Sequence, residues 1–239
     1  SKKFNKNFRN SYKKIQQWSI INYPDFWSAF WDFSNTKGFK SNKKIKKSKV
    51  FYKNLFLPKS KLNFGENLLS KKNSDKAITF ISENGYREER NWKELNQNVS
   101  KIFYYLKKNG IKKGDRVVAY MPNIIETVEA FIASVSLGAI WSSCSPDFGV
   151  NALIERFSQI NPKILIICDR YFYNGKEINV IKRLPIILNK VKSIKHVIII
   201  NYPKKPFLKS KKLKKVKYIS WNNIMKINPI KFKFKKFDF

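Results

Sequence analysis

Histidine is almost missing from this chain: His196 stands alone among 239 residues. One imidazole excludes a histidine-rich zinc site and any His-based proton relay built from several members. Cysteine is equally scarce, with Cys144 and Cys168 only, too few for a disulfide framework. Reduced core thiols and a cytoplasmic setting fit them best. Long apolar runs are absent as well. The longest nearly apolar stretch, residues 131–141, is far short of the roughly 20 residues a membrane-spanning helix needs, so no membrane partner is expected. The basic start of the chain leads into no apolar core segment, so it is not expected to act as a secretory signal. A first residue of Ser1 leads us to expect further chain upstream.

Acidic residues are few: 16 Asp and Glu face 50 Lys and Arg, for a formal net charge of +34. Such an excess raises a nucleic-acid partner as one reading. Arginine, however, supplies only seven of the 50 cations (Arg9, Arg87, Arg90, Arg116, Arg156, Arg170 and Arg183). The bidentate phosphate and guanine recognition that arginine provides is therefore in short supply. Lys, Asn, Ile and Phe are abundant together, as A/T-rich coding would produce. The basic runs, residues 43–49, 204–217 and 231–236, read as solvated loops or tails. Alternating Lys and Phe in the last run could still offer stacking faces to a single strand. The charge by itself names no partner.

What is present is a globular composition, 43% hydrophobic and 15% aromatic. That suffices for a sizeable core, and the length suits one large domain or two small ones. Residues 1–17 read as an irregular basic start. Pro24 and Asp25 in a first turn, with Phe26, Phe30 and Phe33 at helical spacing, predict a helix over 23–33. A strand is expected at 77–82. Asn91 and Glu94 form the pattern of a capping box, opening a helix with Leu95, Val99, Ile102, Phe103 and Leu106 on one face and ending at Asn109-Gly110. Strands at 116–121, 139–143, 163–169 and 196–201 then alternate with helices at 124–137, 150–160 and 178–191, with a loop at 170–175. Helices alternating with short β-branched strands predict an α/β fold with a mostly parallel sheet.

In such sheets ligands bind beyond the carboxyl ends of the strands. That rule singles out three places: residues 120–123, residues 143–147, and residues 168–170 with the following loop. None carries a recognisable active site. The chain lacks G-x-x-x-x-G-K-[ST], G-x-G-x-x-G and G-x-S-x-G, so neither common nucleotide loop nor a serine nucleophile elbow can be placed. The carboxylate pairs Glu88/Glu89 and Glu126/Glu129 read as loop or helix-face charges. Asp147 reads as a turn or N-cap residue rather than a base.

Several motifs nevertheless resemble one family. Residues 23–33, followed by Leu62-Asn63-Phe64-Gly65-Glu66-Asn67-Leu68-Leu69, are similar to the N-terminal region of acetoacetyl-coenzyme A synthetases. Gly114-Asp115-Arg116-Val117 with Met121-Pro122-Asn123 resembles adenylate-forming (AMP-binding) enzymes in general. The more specific block is Trp141-Ser142-Ser143-Cys144-Ser145-Pro146-Asp147-Phe148-Gly149, which resembles the acetoacetate branch. Tyr171-Phe172-Tyr173-Asn174-Gly175-Lys176 is similar to that family's tyrosine-rich loop. The resemblance runs in order from about residue 15 to 200.

It implies the front of a ligase: an N-terminal region over 1–75 and the first part of the AMP-binding domain over 76–239, an incomplete α/β domain. The full enzyme would use ATP, Mg and coenzyme A to turn acetoacetate into acetoacetyl-CoA through an acyl-adenylate, releasing pyrophosphate. The phosphate loop, acyl pocket and catalytic lysine of the family would lie beyond Phe239, in a missing C-terminal part of the same enzyme. The chain alone is therefore expected to be inactive, with no catalytic residue and no metal ligand assigned within it. By similarity to the related acetyl-coenzyme A synthetases, Lys176 and Tyr173 would lie at the coenzyme's phosphorylated nucleotide end, with Tyr173 standing where those enzymes have an arginine. Ser145, Pro146 and Asp147 would line the coenzyme channel. A ligase for another short acyl chain and a basic nucleic-acid-binding module are the alternatives.

Overall fold

A computed structural model describes residues 11–202 and 216–238. The chain divides into two compact units, one of residues 1–63 with 236–239 and one of residues 64–235.

In the first unit, helix α1 (Tyr12–Ile21) occupies part of the stretch expected to be irregular; Ser11 caps it, accepting from the Lys14 amide at 3.3 Å. Helix α2 (Tyr23–Phe33) forms where Pro24 and Asp25 place it. Its aromatic stripe is not a buried core: Trp31 is buried, whereas Phe33 is 82% exposed. The rings instead lean edge-on against one another and Phe56. Two-residue strands complete the unit. β1 (Gly38–Phe39) pairs antiparallel with β4 (Lys61–Leu62), and β2 (Ile45–Lys46) with β3 (Leu55–Phe56). Phe237–Asp238 lies against the other side of β4. A Cβ at Gly38 would stand 2.6 Å from the Lys61 carbonyl oxygen, so only glycine allows this pairing.

The second unit begins with α3 (Phe64–Leu68) and a hairpin of β5 (Lys76–Ile81) and β6 (Arg87–Asn91). The capping box forms as expected. The Glu94 amide donates to Asn91 Oδ1 at 2.8 Å and the Asn91 amide to Glu94 Oε2 at 3.0 Å, opening α4 (Trp92–Lys108). There follow β7 (Arg116–Tyr120), α5 (Ile125–Ser136), β8 (Ile140–Cys144), α6 (Val150–Ile160) and β9 (Ile164–Cys168).

Residues 170–179 depart from expectation. The predicted loop is an antiparallel hairpin of β10 (Arg170–Tyr173) and β11 (Lys176–Asn179). The following helix, α7 (Leu184–Lys190), starts later than expected because Pro185 sits in its first turn. Then come β12 (His196–Ile200), β13 (Lys217–Ser220) and α8 (Trp221–Met225); the basic run over 204–217 lies almost wholly outside the described residues.

Five strands form one parallel sheet in the order β13-β12-β9-β7-β8. The reversal of direction after β8 sends α5 and α6 to opposite faces under the right-handed crossover rule. Packing agrees: α5 lies with α4, and α6 with α7. Sandwiched between helices, Ile164, Leu165, Ile166, Ile167 and Cys168 of β9 are fully buried. An unbroken apolar strand is what burial on both faces requires. Both cysteines are free and buried, and burial pushes their thiols up, away from reactivity.

Candidate functional site

The carboxyl ends of β7, β8 and β9 converge with the β10–β11 hairpin, and a small polar network holds them. Tyr120, the last residue of β7, is completely buried up to its hydroxyl. That hydroxyl has the carbonyl oxygens of Pro146 at 3.0 Å and Phe148 at 2.8 Å as acceptors. Arg183, between β11 and α7, donates through Nη1 to the Pro146 carbonyl at 2.8 Å and to the Tyr120 hydroxyl. Its guanidinium also lies 5.8 Å from the Tyr120 ring centroid. Burial raises the Tyr120 phenol and Arg183 opposes the rise. Two strand ends and one connection are thus tied at a single carbonyl.

Ser145, Pro146 and Asp147 form the turn so held. Ser145 Oγ donates to Asp147 Oδ2 at 2.6 Å, so Asp147 is a turn residue; the N-cap of α6 is Gly149. Pro146 is buried and Asp147 exposed. Burial, and next the Asp147 carboxylate, push the Tyr171 phenol of β10 up to about 12. Asp147 of the turn thus acts electrostatically on the strand that carries Tyr173 two residues further on. Tyr173 and Lys176 face each other as the closing pair of the hairpin, both exposed. Lys176 makes no ion pair among the described residues. Between them Asn174 and Gly175 take left-handed conformations, φ 50° and 70°, the pair of conformations a two-residue hairpin turn demands.

The hairpin base rests on a buried knot. Asp169 Oδ1 accepts from the Tyr202 amide at 2.8 Å, and Oδ2 lies 3.2 Å from Arg170 Nη2. Arg170 reaches on to Glu177 Oε1 at 3.0 Å. Beside the hairpin opens a cleft of 580 Å³ walled by β5, Asn123, Tyr171, Phe172 and Tyr202.

Two sequence readings change here. Glu126 and Glu129 are not simple helix-face charges. Glu129 is fully buried, accepting from Arg90 Nε at 3.0 Å and Asn98 Nδ2 at 2.8 Å, with Glu88 on the same guanidinium. Desolvation raises both Glu126 and Glu129 to about 7. The phenylalanines of residues 231–236 are also not free for stacking: Phe232 stacks on Phe103 at 4.0 Å between centroids, while Lys231 and Lys233 face solvent. The strand-end rule marked the places of Tyr120 and Asp169 but not their partners, and Arg183 lay outside the places it marked. The signal that could have found two of their partners is the rarity of arginine, since Arg90, Arg116, Arg170 and Arg183 each bridge at least two groups. No group of three or more His, Cys, Asp or Glu able to hold a metal occurs among the described residues, and no described helix is long and apolar enough to cross a membrane.

A mostly parallel sheet with its polar network at the carboxyl edge, and the Gly114-to-Asn123 motif wrapped around β7, agree with the family whose model matches residues 69–230. The chain belongs to the AMP-binding enzymes. It is 38% identical over 201 residues to the acetoacetyl-CoA synthetase of Gallus gallus, a match covering 80% of this chain and 29% of the relative. To the acetoacetyl-coenzyme A synthetase of Rhizobium meliloti it is 41% identical over 174 residues, 73% of this chain and 27% of the relative. The chain thus spans less than a third of the length of these curated relatives. The solved structure of an acetoacetyl-CoA synthetase from Streptomyces lividans shares the fold, with a TM-score of 0.85 at 23% identity over 97% of this chain and 35% of that one.

Proposed function

We propose that this chain forms the N-terminal part of an acetoacetate–CoA ligase acting in the cytoplasm, with residues 1–75 preceding the AMP-binding domain proper. In that reaction a carboxylate oxygen of acetoacetate attacks the α-phosphorus of ATP and pyrophosphate leaves. The coenzyme A sulfur then attacks the acyl carbon, and AMP departs with the bonding electron pair. Adenylation is needed because a free carboxylate is a poor electrophile. ATP and Mg would be held chiefly by residues outside this chain, and no step is assigned to the described side chains through them.

The part we assign to this chain is reception of coenzyme A. Lys176 supplies a cation for a phosphate at the nucleotide end, and Tyr173 faces it across the hairpin. Ser145, Pro146 and Asp147 form the channel wall, which Tyr120 and Arg183 keep from shifting. The observation that carries this reading is the fixed turn at residues 145–148: the block of sequence most particular to the acetoacetate branch is also the one tied down at the strand ends.

Two measurements test the proposal. Pyrophosphate release by the protein bearing this chain should require acetoacetate, with acetate and butyrate much poorer, and its repeated turnover should require CoA to clear the adenylate; equal rates with all three acids would overturn the substrate. Lys176→Ala should weaken coenzyme A binding by roughly tenfold, and the loss should shrink at high salt. An unchanged affinity would remove Lys176 from the site.

A further inference from the structure

The tips of two hairpins meet far from each other in sequence. Glu83, in the turn between β5 and β6, accepts the backbone N–H of Asn174 on Oε2 at 3.0 Å and that of Gly175 on Oε1 at 3.1 Å. These are the two left-handed residues of the β10–β11 turn. A carboxylate is an acceptor on both oxygens, so it matches two adjacent amides. The hairpin's own backbone leaves both amides pointing outward at its tip.

Glu83 is itself held in place. Its neighbour Ser82 receives the Tyr202 hydroxyl hydrogen bond at 2.7 Å, and the Ser82 amide donates to the Tyr86 carbonyl at 2.8 Å. The Tyr202 amide in turn donates to Asp169 Oδ1, at the hairpin base. The polar contacts therefore close a ring: Asp169 to Tyr202, Tyr202 to Ser82, Glu83 to the hairpin tip, and back along β10 and β11 to Arg170 and Glu177. Glu83 closes this ring at the tip.

We propose that Glu83 is a positioning residue for the coenzyme-binding hairpin. Its carboxylate fixes the Asn174-Gly175 turn so that Tyr173 and Lys176 meet the phosphorylated end of coenzyme A as a preformed pair. This rests on the assignment of that hairpin to coenzyme A. Among the described residues Glu83 makes no hydrogen bond or ion pair to the side chain of Tyr173 or Lys176, and acts through the backbone between them. An ordered tip spares the ligand the entropy of ordering four exposed residues.

The test uses the chain with Glu83→Ala and Glu83→Gln, reading amide exchange at Asn174 and Gly175 by NMR and titrating coenzyme A. The alanine variant should exchange both amides roughly tenfold faster and bind coenzyme A roughly tenfold more weakly. Glutamine keeps one carbonyl acceptor and should restore most of the amide protection and of the affinity. Unchanged exchange in Glu83→Ala would overturn the proposal, as would faster exchange with unchanged affinity. Tighter binding in both variants would overturn it too, showing Glu83 to compete with the phosphate for the turn. Failure of the native chain to bind coenzyme A would defeat the coenzyme assignment instead, and the exchange rates would still decide whether Glu83 holds the tip.

Discussion

Arg183 and Pro146 are 37 residues apart in sequence, and the Arg183 guanidinium donates to the Pro146 carbonyl oxygen at 2.8 Å. A proline has no amide to anchor its turn, so its carbonyl is the handle that remains. Arg183→Met should cost about 2 kcal/mol, the worth of charge-assisted hydrogen bonds at a half-buried site. Urea unfolding reads the cost, and faster amide exchange over residues 147–149 locates it. Arg183→Lys should recover less than half, because an ammonium lacks the planar fork. A methionine variant as stable as the native chain would show that Tyr120 alone holds the turn.

The cluster of Glu88, Glu126 and Glu129 around Arg90 makes stability depend on pH. Facing it are Tyr86 from the β5–β6 hairpin and Asn98 from α4. Desolvation raises Glu126 and Glu129 from 4.5 to about 7, so between these values the folded chain binds more protons than the unfolded one. Their contribution is complete below pH 4.5 and is lost as pH rises through 7. Glu126 Oε2 meets no hydrogen-bond partner among the described residues, so Glu126→Gln removes a charge without breaking a bond there. The variant should match the native Tm at pH 5 and exceed it by about 4 °C at pH 8, the shift about 1 kcal/mol makes in a chain of this size. Parallel Tm curves across that range would contradict the assignment.

Asp169 offers a harsher perturbation. Alanine there removes the acceptor of the Tyr202 amide and takes one carboxylate from the buried Arg170. Breaking a buried pair on one side costs about 3–5 kcal/mol. Asp169→Asn, which keeps an acceptor for the amide, should lose less. Chemical denaturation of the two variants checks the order.

Gly65 has no room for a side chain. A Cβ would sit 2.0 Å from Ser136 Oγ and 3.1 Å from Ser136 Cα. The hydroxyl cannot swing away without leaving the Ile132 carbonyl at 2.7 Å. Gly65→Ala should destabilise by about 1–3 kcal/mol. Adding Ser136→Ala should return only part, since the backbone contact stays, and a thermal melt of the double variant measures how much.

The sheet was readable because β9 and β12 are short apolar runs, and burial on both faces leaves little else for such runs to be. The start of α4 was readable because Asn91 and Glu94 satisfy each other locally. The hairpin at residues 170–179 was missed because its strands carry Arg, Tyr, Lys, Glu and Asn. Its one clear signal was Asn174-Gly175 between them. Glu126 and Glu129 misled for a different reason: their partner Arg90 is 39 residues away from Glu129 on another element, and spacing along a helix reveals nothing about it. At the site, Ser145 to Asp147 followed from the strand-end rule. So did the place of Tyr120, but its bond to Arg183 did not, since one more cation looks ordinary until the chain brings the two together.

The strand order β13-β12-β9-β7-β8 also says something about how such a chain emerges from a ribosome. β7 and β8 are made first and pair. Each later strand then docks on a free outer border: β9 beside β7, β12 beside β9, β13 beside β12. No strand has to wedge between two already zipped together. The layered sheet can therefore grow one strand at a time in the direction of synthesis, its landing strip always built before the next strand arrives.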